Sequence, residues 1–81
     1  MQADEIKQSI ETALSGAEAL VEGDGTHFTV IVIYPMFAGK SRIERQQLVN
    51  NTVKQPLLDG TLHALSIKTF TPDEWHQLNG P

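Results

Sequence analysis

The amino-acid sequence predicts an α+β domain in which a three-stranded mixed sheet carries helices packed on one face, in the order αββααβα. Three observations predict this class. A run of β-branched and aromatic residues from Phe28 to Tyr34 reads as a central strand. Two helix starts carry capping boxes, Ser41 with Glu44 and Thr71 with Glu74. A crossover of two helices separates the second strand from the third, which leaves those strands parallel if they are neighbours.

Each element follows from local chemistry. Ile6, Ile10, Ala13 and Leu14 share one stripe of a first helix over residues 3–14, and Gly16 ends it, since glycine accepts the left-handed conformation of a helix C-terminus. Ala19 to Val21 form a short first strand. Gly23-Asp24-Gly25 then reverses the chain into a hairpin. The second strand, Phe28 to Tyr34, is apolar on both faces and stops at Pro35. Helix two begins near Arg42 with Ile43, Leu48, Val49 and Val53 as its buried stripe, leaving Arg42, Glu44, Arg45 and Gln46 solvated. Pro56 breaks that helix and seeds a short third one, with Leu57 and Leu58 docked on the core, before Asp59-Gly60 turns the chain. In the third strand, Leu62 to Phe70, the face bearing His63, Leu65, Ile67 and Thr69 meets the helices. Pro72 opens a final helix anchored by Trp75 and Leu78.

Size and composition narrow the function. A chain of 81 residues suits one domain, 1–81, that hides only about 60–65% of its unfolded surface, so a deep catalytic cleft is not expected. The absence of cysteine excludes both a disulfide framework and a thiolate metal cage, and fits a reducing cytoplasm. No basic-apolar leader opens the sequence, and no apolar run approaches the roughly 20 residues that span a bilayer. Six basic against ten acidic residues give a net charge of −4, which opposes nonspecific attraction to nucleic-acid phosphates and anionic lipid.

The histidines carry the chemistry. His27 immediately precedes strand two and His63 opens strand three, so a parallel pair brings both imidazoles to one end of the sheet. Two imidazoles alone make a poor metal site, and an external partner would have to complete it. Either residue also fits an ordinary half-buried strand end. His76, in the last helix, has no second ligand at i+4 and reads as solvated.

Gly23-Asp24-Gly25-Thr26-His27-Phe28, Phe37-Ala38-Gly39-Lys40-Ser41-Arg42 with Arg45-Gln46-Gln47-Leu48-Val49, His63-Ala64-Leu65-Ser66-Ile67-Lys68 and Thr71-Pro72-Asp73-Glu74-Trp75 occur in one order with short gaps. In these strings the chain resembles BolA-like proteins over nearly its whole length. The resemblance implies a fold similar to a type II KH domain. It also implies partnership with a monothiol glutaredoxin in a heterodimer sharing a [2Fe-2S] cluster, in cluster assembly or transfer or in iron homeostasis. The glutaredoxin and its glutathione would give sulfur ligands, and this chain nitrogen. His63 matches the family's ligand histidine. A second ligand commonly comes from the loop between the first two strands, which is reduced here to a tight turn with His27 as its donor. Imidazole suits iron, and histidine in place of thiolate raises cluster potential. Such ligation weakens in mild acid as the ring protonates.

The rival reading is a nucleic-acid-binding transcriptional regulator that contacts DNA through Lys40, Arg42, Arg45, Lys54 and Lys68. Against it, a KH clamp needs a G-x-x-G loop, and the corresponding stretch is Asn51-Thr52-Val53-Lys54. An enzyme is disfavoured by the lack of a thiol nucleophile, a complete phosphate loop around Gly39-Lys40, or a paired acid and base. An adaptor without a metal is the third reading. The free chain is expected to be a monomer or weak homodimer.

Overall fold

The structure, a computed structural model, describes residues 2–24, 27–58, 60 and 64–80, the side chains of Asp24, Pro56, Leu57 and Ala64 excepted. The element order is α1 (Ala3–Ala13), β1 (Glu18–Asp24), β2 (His27–Ile33), a 3-10 turn (Pro35–Phe37), α2 (Arg42–Thr52), α3 (Lys54–Leu58), β3 (Ala64–Phe70) and α4 (Pro72–Asn79). The sheet order is β1-β2-β3, so β2 is central, as its apolar run requires. β1 pairs antiparallel with β2, Val21 opposite Val30. β3 pairs parallel with β2, Val30 opposite Ile67, as a two-helix crossover demands.

Period-two alternation sorts the sheet into two faces. Ala19, Phe28, Val30 and Val32 are buried and meet Ile6 and Ile10 of α1, Val49 of α2, Val53 and Phe37. Leu65 and Ile67 of β3 pack against the same cluster. The opposite face carries Glu22, His27, Thr29, Ser66 and Lys68, all exposed. Burying a medium-sized apolar side chain contributes about 1.5–3 kcal/mol, so this one-sided core supplies most of the gain.

Both predicted capping boxes form. Glu44 N–H donates to Ser41 Oγ at 3.2 Å while Ser41 N–H donates to Glu44 Oε1 at 2.8 Å; Thr71 and Glu74 repeat the exchange at 3.1 and 2.9 Å. Gly16 has φ of +94°, the left-handed stop expected after α1.

Five expectations need correction. β1 spans seven residues instead of three, because its charged residues alternate outward along an edge strand. α2 ends at Thr52 and α3 starts at Lys54, so the break falls at Val53; Pro56 is the third residue of α3, within the first turn, where its missing N–H costs nothing. Ile43 is 68% exposed, whereas Arg45 holds a partly buried position on the inner line of α2. Leu58 and Leu78 are largely exposed, so neither is the buried anchor expected of it. β2 begins at His27 and ends at Ile33, one residue earlier at each end than the sequence pattern suggests.

α4 buries no residue fully and is held by two contacts. Trp75 packs against Phe70 with the rings tilted at 56° and their centroids 5.4 Å apart. Arg45 grips Glu74 with two guanidinium nitrogens, at 2.7 and 3.3 Å, while its Nε donates to the Lys40 carbonyl at 3.1 Å. The guanidinium carbon sits 5.7 Å from the Phe37 ring centroid, so one side chain joins α2, α4 and the turn after β2.

Candidate functional site

The start of β2 forms a rim of the open sheet face, and its shape is set by Gly23. That glycine lies opposite Phe28 with φ of +141°, and a Cβ there would meet the His27 carbonyl oxygen at 2.3 Å and Phe28 Cα at 2.8 Å. Only a residue without a side chain lets β1 lie this close to the His27 peptide. The parallel register then puts Ala64 beside His27 and Ser66 beside Thr29. Glu22 is opposite Thr29 from the other side. Glu22, Gly23, His27, Phe28, Thr29 and Ser66 consequently line a shallow depression of about 310 Å³ with the exposed imidazole-bearing residue at its margin.

His63 lies outside the described residues; its chain neighbour Ala64 is the register partner of His27. His76 is exposed on α4 and takes no part in the rim. The sequence marks Ser66 as an outward strand residue and does not single out Glu22 or Thr29, which strand alternation assigns to the same face. Chemically the rim offers an exposed histidine among polar neighbours, a residue type that suits a borderline metal such as iron. Among the described residues no group of three or more His, Asp or Glu residues could hold a metal ion.

The basic residues fall elsewhere. Arg42, Arg45, Lys68, Thr69 and Phe70 line a second depression of about 360 Å³. Lys68 is four positions along β3 from Ala64, or roughly 13 Å at 3.3 Å per residue. Arg45 is already engaged: its side chain is 13% exposed and neutralised by Glu74. The Arg45 guanidinium, and after it the Thr71 backbone N–H, hold the Glu74 carboxyl below the usual carboxylate range. Hydrogen bonds from the Ser41 backbone and hydroxyl do the same for Glu44. The free cations there are therefore fewer than the sequence count suggests. No described helix is long and apolar enough to cross a membrane.

The family described as BolA-like protein matches residues 4–74, with the rim, α2 and the capped start of α4 inside the match. The chain belongs to the BolA-like family. It is 42% identical to the acid stress protein IbaG of Escherichia coli (strain K12) over 83 residues, covering 99% of each chain. A solved bolA protein homologue from Coxiella burnetii shares the fold with a TM-score of 0.83 at 42% identity, covering 94% of this chain and 97% of that one. The DNA-binding transcriptional regulator BolA of Vibrio cholerae is 42% identical over 57 residues, 70% of this chain and 53% of that one. The α+β fold expected of this BolA-like sequence is thus shared with solved relatives.

Proposed function

We propose that this BolA-like chain is a non-enzymatic partner of a monothiol glutaredoxin, sharing a [2Fe-2S] cluster with it and with glutathione through His63 and His27. The single observation that carries the reading is the parallel register in which His27 pairs with Ala64, the residue that follows His63 in the chain. The exposed start of β2 leaves space for a second protein to approach His27, and the chain's lack of cysteine would leave the sulfur ligands to that partner. When bound, the cluster supplies iron positions that imidazole can occupy. This chain's own residues contribute the donor, and Gly23 fixes the backbone that carries it. The role would be cluster assembly or transfer, or iron homeostasis, in a reducing compartment.

The test is reconstitution with a monothiol glutaredoxin, iron, sulfide and glutathione, followed by visible absorption. Wild type is expected to give a heterodimer spectrum that His63→Ala alters strongly. Matching spectra would remove His63 from the ligand set.

A second reading, DNA binding, is favoured by one observation, the depression bearing Arg42 and Lys68. It predicts submicromolar affinity for short duplexes that falls steeply with salt. The glutaredoxin reading predicts weak binding with a shallow slope.

A further inference from the structure

The sheet ends at β1, and α1 closes its outer margin at one point. Lys7 and Glu11, one turn apart, form an ion pair of 2.7 Å, and both reach Ala19. Lys7 Nζ donates to the Ala19 carbonyl at 2.7 Å, and Ala19 N–H donates to Glu11 Oε2 at 2.9 Å. Since both backbone groups of Ala19 turn toward α1, its pairing with Val32 is of the non-hydrogen-bonded kind. By antiparallel alternation Val21 and Gly23 turn their N–H and C=O groups to the same margin.

We infer that the Lys7–Glu11 pair is a clamp that prevents β1 from pairing edge to edge with β1 of a second copy of this chain. The pattern of the strand identifies that occupant. A two-fold axis through Val21 gives an isologous antiparallel ladder, with Val21 against Val21 and Ala19 against Gly23 of the other copy. The Ala19 groups held by the clamp are the ones this ladder needs at both of its ends. Leu20, 37% exposed, would lie across from the other copy's Glu22. Glu18 and Asp24 would meet as like charges, and β1 contains no cation to offset them. Occupied backbone groups and charged edge residues are recognised means of keeping sheet edges apart.

Analytical ultracentrifugation of the double variant Lys7→Ala, Glu11→Ala at neutral pH tests the clamp. Its dimer is expected to be at least roughly tenfold tighter than the wild type's, and tighter still in high salt, which screens the β1 carboxylates. The Val21 amide should become protected from exchange. Adding Val21→Pro deletes one outward N–H without touching the β1–β2 ladder and must restore the monomer. A folded double variant that stays monomeric at every concentration overturns the inference, as does a dimer indifferent to Val21→Pro. If the double variant does not fold, wild type is followed from about pH 7 down to acid unfolding, since the Lys7 ammonium and the Ala19 N–H hold the Glu11 carboxyl below the usual carboxylate range. Glu11 is faced by Lys7 from α1 and the Ala19 peptide from β1, whose charged residues are Glu18, Glu22 and Asp24; β2 adds His27 at its far end. A dimer forming ahead of acid unfolding supports the clamp, and a monomer up to that transition overturns it.

Discussion

Replacing Gly23 by alanine is the sharpest test of how the rim is built. Two costs add at this position. A side chain at φ +141° pays backbone strain of about 1–3 kcal/mol. The new Cβ also meets two backbone atoms, the His27 carbonyl oxygen at 2.3 Å and Phe28 Cα at 2.8 Å, which have no rotamer through which to escape. Forcing a strand pair apart to admit a methyl group adds about 1–3 kcal/mol. The sum, about 2–6 kcal/mol, is a large part of the roughly 5–15 kcal/mol that stabilises a small domain. At about 4–8 °C per kcal/mol for this size, the melting midpoint should fall by about 8 °C or more. Gly39→Ala is the internal control, because its φ is +80° but a Cβ there meets nothing within 4 Å. It should lose only about 1–2 kcal/mol of conformational strain. Urea unfolding followed by circular dichroism measures both. Equal losses for the two variants, or a Gly23→Ala protein within about 0.5 kcal/mol of wild type, would refute the close approach of β1 to His27.

Further outcomes follow from the same structure. Ile10→Ala should cost about 2–5 kcal/mol in urea unfolding because the residue is wholly buried, whereas Ile43→Ala should stay within about 0.5 kcal/mol. Arg45→Ala should loosen α4 selectively, with faster amide exchange over residues 72–79 and little change in β2, since Arg45 supplies one of the two contacts that hold that helix. The carboxyl of Glu11 is lowered by the Lys7 ammonium and then by the Ala19 N–H, and that of Glu74 by Arg45 and Thr71. A depressed carboxyl contributes stability above its unfolded value, near 4.3, and loses it as pH falls through the folded value. The urea midpoint should therefore hold near neutrality and drop below about pH 4.5, with a flatter acid limb in Glu11→Gln.

Local signals were readable in the sequence where the physics is local. The capped starts at Ser41 and Thr71, the stop at Gly16 and the central strand around Val30 depend on neighbours within four residues, and all are present. Parallel pairing of β2 with β3 followed from the length of the crossover. What escaped was tertiary. In α2 an arginine occupies the inner line, and a hydrophobicity pattern gives that place to Ile43 because the partner that makes Arg45 welcome, Glu74, lies 29 residues on. Nothing local in the sequence ties Lys7 and Glu11 to the first strand, yet both side chains serve β1. The outward charges of β1 hid its length, since an edge strand needs only one apolar face. His27 was identified together with its end of the sheet, while the neighbours that shape its surroundings, Glu22, Thr29 and Ser66, emerge only once the register is fixed.

The central claim is that histidines of this chain ligate a cluster shared with a glutaredoxin. The most direct measurement is electron-nuclear double resonance on the reduced heterodimer, with this chain carrying ¹⁵N-labelled histidine and the partner unlabelled. Strong ¹⁵N coupling that is reduced in His63→Ala, with the His27 contribution remaining, is the predicted result. A reduced cluster bound to the complex with no ¹⁵N coupling from this chain would contradict it.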